Sequence, residues 1–223
     1  MRSFFLAYSN IVIAAATAAN LVFHVLLILS YKKTKKLMPL CMGMIAFGLF
    51  YDGLIISLGN TLSGSEGLLS VLSRLRYISH GLFVPLIFPI CAYALTKNRK
   101  RIVTVWIITA VMIALGVASG FAAELELVNA AGVTRHAIAD TTPAWADAVT
   151  YLLSFGSVIP LIVSGIIVWR KQKTPALFLS GFLMFAFSAL PPATGNFDLI
   201  FSISIIGEVL MIVFMYFYQR NAV

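Results

Sequence analysis

An all-α membrane protein, built as a bundle of seven transmembrane helices, is what the sequence predicts on three observations. Of 223 residues, 61% are apolar and 11% charged, and the mean hydropathy is +0.98, so polar side chains are too few to cover a surface facing water. Seven apolar runs, at 5–31, 37–59, 68–95, 102–123, 148–169, 176–194 and 199–218, are each long enough to cross a bilayer as a helix rising about 1.5 Å per residue. The basic residues alternate with them. Lys32, Lys33, Lys35 and Lys36 follow the first run, Lys97, Arg99, Lys100 and Arg101 the third, and Arg170, Lys171 and Lys173 the fifth. By the positive-inside rule these loops are cytoplasmic, which predicts an outside N-terminus and an inside C-terminus in a cell membrane.

Each run carries its own signal. The first has only Arg2 before it and outlasts a signal-peptide core, so it is expected to be retained. The second holds Tyr51 and Asp52; the third holds Arg76 and His80 ahead of Pro85 and Pro89; the fourth is apolar throughout. Between the fourth and fifth, residues 124–147 carry four acids with Arg135, His136 and Pro143, and a solvated connection is expected there in preference to a short hairpin or lid. The fifth run contains Pro160 and the sixth Pro191 and Pro192, and these, like Pro85 and Pro89, each remove a helical hydrogen bond and predict a kink unless packing satisfies the freed carbonyl. The seventh has Glu208 at its centre. No internal repeat appears, and residues 1–223 read as one domain.

The +8 net charge follows from this topology. Nucleic-acid binding needs a basic face on a soluble segment, and the chain offers none. The bilayer is the expected partner, with a second copy or another membrane protein beside it. Cys41 and Cys91 fall inside helices without metal-ligand spacing and read as reduced packing residues. Glycine-rich phosphate loops and zinc motifs are missing from the sequence. Ser79 and His80 are adjacent, diverging by about 100° on a helix, and make a poor nucleophile and base. A metal site drawn from His80, Glu208 and Asp52 holds one histidine on three helices and is a weak signal. The expectation is no catalytic residue and no metal.

The polar residues within the helices are the informative ones, because an ionisable group near the bilayer midplane is costly and faces a partner or a cavity. Arg76 and His80 are four residues apart and project from one face of the third helix, beside Tyr77. With Asp52 and Glu208 they form a candidate ligand or ion centre. A structural ion pair, Arg76 with Glu208 or Asp52, is the plainer reading of the same residues. His24 has no acid on its helix and reads as a satisfied packing histidine.

The segment Arg76-Tyr-Ile-Ser-His-Gly-Leu-Phe-Val-Pro-Leu86 resembles the third helix of the microbial (type I) rhodopsins, with Arg76, Tyr77, Pro85 and Leu86 in register. Phe187-Ser-Ala-Leu-Pro191 is similar to that family's Trp-Ser-Ala-Tyr-Pro segment in helix six, and Gly207-Glu-Val209 falls where the family has Ala-Lys-Val. The resemblance spans the chain and implies a seven-helix retinal-protein fold. It also exposes departures. The retinal-binding lysine position is Glu208, and all eight lysines lie at helix ends or in loops. The proton-accepting carboxylate position is Ser79, the helix-seven aspartate position is Ser204, and the inner proton-donor position is Ile90. Loss of the amine and loss of two anions are coherent, since anions without a protonated Schiff base would be uncompensated in low dielectric. The aromatic box shrinks too: His80, Leu190 and Thr194 occupy aromatic positions, leaving Phe187.

These readings predict a protein without covalent retinal, binding at most a non-covalent apolar ligand. A ligand-binding, sensory or accessory role, with Asp52, Arg76, Tyr77, Ser79, His80, Phe187, Ser204 and Glu208 as its centre, stands ahead of a proton or ion pathway through Glu208 and Arg76, and further ahead of a membrane enzyme.

Overall fold

A computed structural model of the chain describes residues 2–195 and 199–221. Among them are seven helices long and apolar enough to cross a membrane. The first two spans are α1 (Arg2–Thr34) and α2 (Leu37–Leu62). The third is α3 (Glu66–Phe83), a 3-10 turn (Val84–Leu86) and α4 (Ile87–Leu95). The fourth is α5 (Arg99–Ala122), the fifth α6 (Ala144–Gly156) with α7 (Val158–Gln172), the sixth α8 (Ala176–Ala193) and the seventh α9 (Ile200–Asn221). The basic loops share one end of the bundle, where Lys36, Lys97 and Gln172 line a common groove.

Proline accounts for the two interruptions. Pro85 has no N–H to offer the turn before it, and the helix tightens to 3-10 geometry there before resuming as α4. Pro160 likewise frees a carbonyl in the preceding turn, where α6 stops and α7 begins around Ser157. Pro191 and Pro192 fall in the closing turns of α8, where no long ladder follows to be disrupted, and the Thr194 hydroxyl donates back to the Leu190 carbonyl. The fourth span starts on a side-chain cap, with Asn98 accepting from the Lys100 and Arg101 N–H groups.

Helix contacts are closest at glycine. Gly81 in α3 and Gly116 in α5 meet backbone to backbone, and a Cβ on Gly116 would lie 2.7 Å from the Gly81 carbonyl oxygen; Gly120 abuts the Ile78 N–H in the same way. At the basic end a continuous apolar cluster, including Leu27, Met42, Ile90, Leu161, Leu177 and Met215, fills the bundle. Cys41 and Cys91 are free and buried, and the His24 Nδ1–H donates to the Gly43 carbonyl at 2.8 Å.

The segment expected to be a solvated connection is instead a β-hairpin, so the fold is not purely helical. β1 (Leu125–Ala130) and β2 (Val133–Ile138) pair antiparallel, with Ala130 opposite Val133. The two-residue turn has φ 53° at Ala131 and 75° at Gly132, the double positive φ that favours Asn-Gly. Alanine at the first position hid the hairpin from pattern reading. It also carries strain: Ala131→Gly is expected to raise the melting temperature of the detergent-solubilised protein, corresponding to about 1 kcal/mol, and an unchanged or lower value would contradict the assigned turn.

The hairpin lies down on the bundle. Asn60 grips its edge with both amide atoms, accepting from the Thr134 N–H and donating to the Gly132 carbonyl, each at 2.8 Å. A Cβ on Gly59 would run into the Thr134 carbonyl, so only glycine lets the strand sit this close. Val133 is buried in a small cluster with Ile13, Ala16, Ile56 and Ile205. The base of the segment is closed by Thr142, whose hydroxyl meets both the N–H and the carbonyl of Glu124, and by Arg74, which donates to the Phe121 and Ala123 carbonyls at the end of α5.

Candidate functional site

Arg76 organises the polar centre. It is 2% exposed, its Nε lies 3.5 Å from Asp52 Oδ1, and its Nη2 donates to the His136 carbonyl at 2.9 Å. The guanidinium also stands over the Tyr77 ring, 4.6 Å from its centroid. The sequence left Glu208 and Asp52 as alternative partners; the ion pair is with Asp52. The unforeseen partner is the hairpin, because Tyr77 too donates to the His136 carbonyl, at 3.3 Å.

Beside this pair lies a cavity of about 580 Å³, within the range that encloses a small organic molecule. Its floor is Ile45, Leu49, Val84, Ile87 and Met211, the upper surface of the apolar cluster at the basic end. Tyr77 and His80 come from the third span, Ser204 and Glu208 from the seventh, and Met184, Phe185 and Ser188 from the sixth. The hairpin and the chain after it roof the space with Arg135, Ala137 and Asp140, and α6 supplies Asp147, Thr150, Tyr151, Ser154 and Phe155. Four expected centre residues, Tyr77, His80, Ser204 and Glu208, therefore face one space. Asp52 and Arg76 stand behind its wall as a paired support.

The remaining two do not line it. The Ser79 hydroxyl donates to the Arg76 carbonyl within its own turn, and Phe187 packs against Gly207 at the α8–α9 contact. Their neighbours one position along, His80 and Ser188, reach the cavity in their place.

Glu208 Oε2 is buried with no hydrogen-bond partner. Arg135 stacks over the Phe201 ring with its guanidinium carbon 3.4 Å from the centroid. Burial and then the nearby Arg76 charge push Arg135 down to about 10, against the pull of Tyr77 and Asp52, so it stays charged at neutral pH. Burial and Arg76 also lower His136, with Glu66 opposing. Sequence reasoning placed Arg135 and His136 only in a loop, because their approach to Arg76 depends on a strand docked from distant sequence.

The cavity opens sideways. Tyr151, Phe155 and Phe185 line it and are also 59%, 53% and 46% exposed, so the space reaches the bundle's outer wall between the fifth and sixth spans. The two spans part there because they pack unequally along their length. α7 lies tightly on α8, with Gly165 against the Phe178 backbone and Gly181 against Ile162, whereas α6, beyond the break at Ser157, packs mainly on α5. Among the described residues no three His, Cys, Asp or Glu side chains gather as a metal site.

In comparisons with known proteins, no family model and no curated protein matches this chain.

Proposed function

We propose that the chain is a rhodopsin-like membrane protein that works without a retinal Schiff base, as a ligand-binding, sensory or accessory component whose cavity takes a non-covalent, largely apolar molecule. The observation that carries this reading is the space of about 580 Å³ into which Tyr77, His80, Ser204 and Glu208 all face. It occupies the place between spans three, six and seven where the resemblance puts a chromophore, while position 208 offers a carboxyl group in place of an amine. The positive-inside rule orients the hairpin and the cavity outward, at the cell surface.

A proton or ion pathway is the lesser reading. Below the cavity the bundle is packed with apolar side chains, and two of the polar groups there are committed within the protein, His24 to the Gly43 carbonyl and Ser180 to Leu177. Conduction needs a continuous polar route.

The test uses two probes of the same shape. All-trans retinol, which cannot form a Schiff base, is expected to bind saturably at one per chain in nanodiscs, read by energy transfer from tryptophan. Ser154→Phe, which fills the cavity from α6, abolishes it. All-trans retinal is expected to give no red-shifted pigment and no borohydride-trapped adduct. Glu208→Lys combined with Ser204→Asp, a counterion one turn away on the cavity wall, should then yield a retinal-dependent visible band. A covalent adduct on the unmodified chain, or equal retinol uptake by Ser154→Phe, would overturn the reading.

A further inference from the structure

The charge of the cavity wall runs against that of the chain. Overall the protein has sixteen Lys and Arg against eight Asp and Glu. On the cavity wall the balance inverts: Glu208, Asp140 and Asp147 face one guanidinium, Arg135. That guanidinium sits at the hairpin end, stacked on Phe201. Arg76 adds no free positive charge, because it is paired with Asp52 and bonded to the His136 carbonyl.

Hydrogen bonding singles out Glu208 on that wall. A hydroxyl has one proton to give and two lone pairs to accept with. His80, Tyr151, Ser154 and Ser157 also line the wall, and of its other hydroxyls Tyr77 and Thr150 direct their protons inward, to the His136 and Ala146 carbonyls. Their accepting lone pairs remain. Glu208 Oε2 adds an acceptor that is buried and unpartnered, a costly condition that a donor from an occupant would relieve. At Glu208 the wall presents a buried acceptor without a donor.

We infer that the cavity binds a cationic amphiphile, a protonated amine carried on an apolar body, with its ammonium on Glu208 and Ser204 and its body along Met184, Phe185 and Leu49. This deepens the proposed function and rests on it. An ammonium group supplies three donors and no acceptor, the complement of the unpartnered Glu208 oxygen, and a charge-assisted N–H···O bond to a carboxylate is about twice as strong as a neutral one. A carboxylate head meets three further carboxyl groups and one guanidinium, Arg135. An alcohol offers Glu208 a single proton and no positive charge. The lateral gap between Tyr151, Phe155 and Phe185 suits a molecule that arrives dissolved in the bilayer.

Dodecylamine, dodecanol and dodecanoate, identical in chain and different in head, make the test. Their binding is measured by competition with retinol in phosphatidylcholine nanodiscs, with empty nanodiscs subtracted for partitioning. The amine is expected to compete at least about tenfold more tightly than the alcohol, and the acid more weakly than both. Glu208→Gln, nearly isosteric, should weaken the amine by about the same tenfold and bring amine and alcohol to within about twofold. The wild-type ranking alone decides the proposal if that variant does not fold. Equal binding of amine and alcohol, or a preference for the acid, overturns the cationic ligand and leaves the binding reading standing. Failure of retinol itself to bind saturably removes that underlying reading as well.

Discussion

Arg76→Gln is expected to destabilise the protein in detergent by about 3 kcal/mol, the lower part of the range for breaking a buried ion pair because Asp52 keeps 19% exposure. Three losses coincide. Asp52 loses its counter-charge, the His136 carbonyl loses its donor at 2.9 Å, and the Tyr77 ring loses its cation. Asp52→Asn alone should cost less, and the double variant Arg76→Gln with Asp52→Asn should recover about 1–2 kcal/mol of the summed penalties. Glu208→Gln should give no such recovery with Arg76→Gln. A double-mutant cycle read by thermal unfolding distinguishes the two acids; coupling to Glu208 and none to Asp52 would reverse the pairing.

Gly81→Val carries the second large effect. A side chain there enters the Gly116 backbone, and no flexible side-chain end is present to move aside. The third and fourth spans must separate, and Gly120, wedged against Ile78 one turn on, separates with them. Loss of at least about 3 kcal/mol is expected, beyond ordinary overpacking because both surfaces are backbone. Gly64→Val is the control: nothing lies within 4 Å of the corresponding Cβ, and its stability should stay within about 0.5 kcal/mol of wild type. Comparable losses in the two variants would mean that the crossing at Gly81 is not the close contact described here.

The seven spans could be read from the chain because burial in lipid imposes one rule on every helix: about twenty apolar residues with their backbone bonds satisfied internally. The breaks at Pro85 and Pro160 were legible for the same local reason, a missing N–H. The hairpin was not, since its turn is Ala131-Gly132 and its docking depends on Asn60 and Gly59, more than seventy residues earlier. Helical spacing from Arg76 brought His80 and Tyr77 to the right face. Ser79 and Phe187 came from the resemblance instead, and each makes a helix contact, one residue and about 100° of rotation from a neighbour that reaches the cavity. The choice between Asp52 and Glu208 as the partner of Arg76 needed the relative placement of α2, α3 and α9, which periodicity within one helix does not contain.

Asn60 holds Gly132 and Thr134 across 72 and 74 positions of sequence, and that span of chain sets an order of assembly. The second, third and fourth helices can each insert as soon as they are made, since their hydrogen bonds are internal. The hairpin rests on Asn60 of the second span, Arg76 and Tyr77 of the third, and Ile205 and Phe201 of the seventh, so it cannot settle fully until the last span stands beside the others. Contacts so distant in sequence form late, after the loop-closure cost has been met by the helices between them. The cavity therefore acquires its roof last: a newly inserted chain passes through a stage in which the helices are in place while Glu208 still opens to water from above, and the closing of the strand over His136 is the step that turns a groove among helices into an enclosed site.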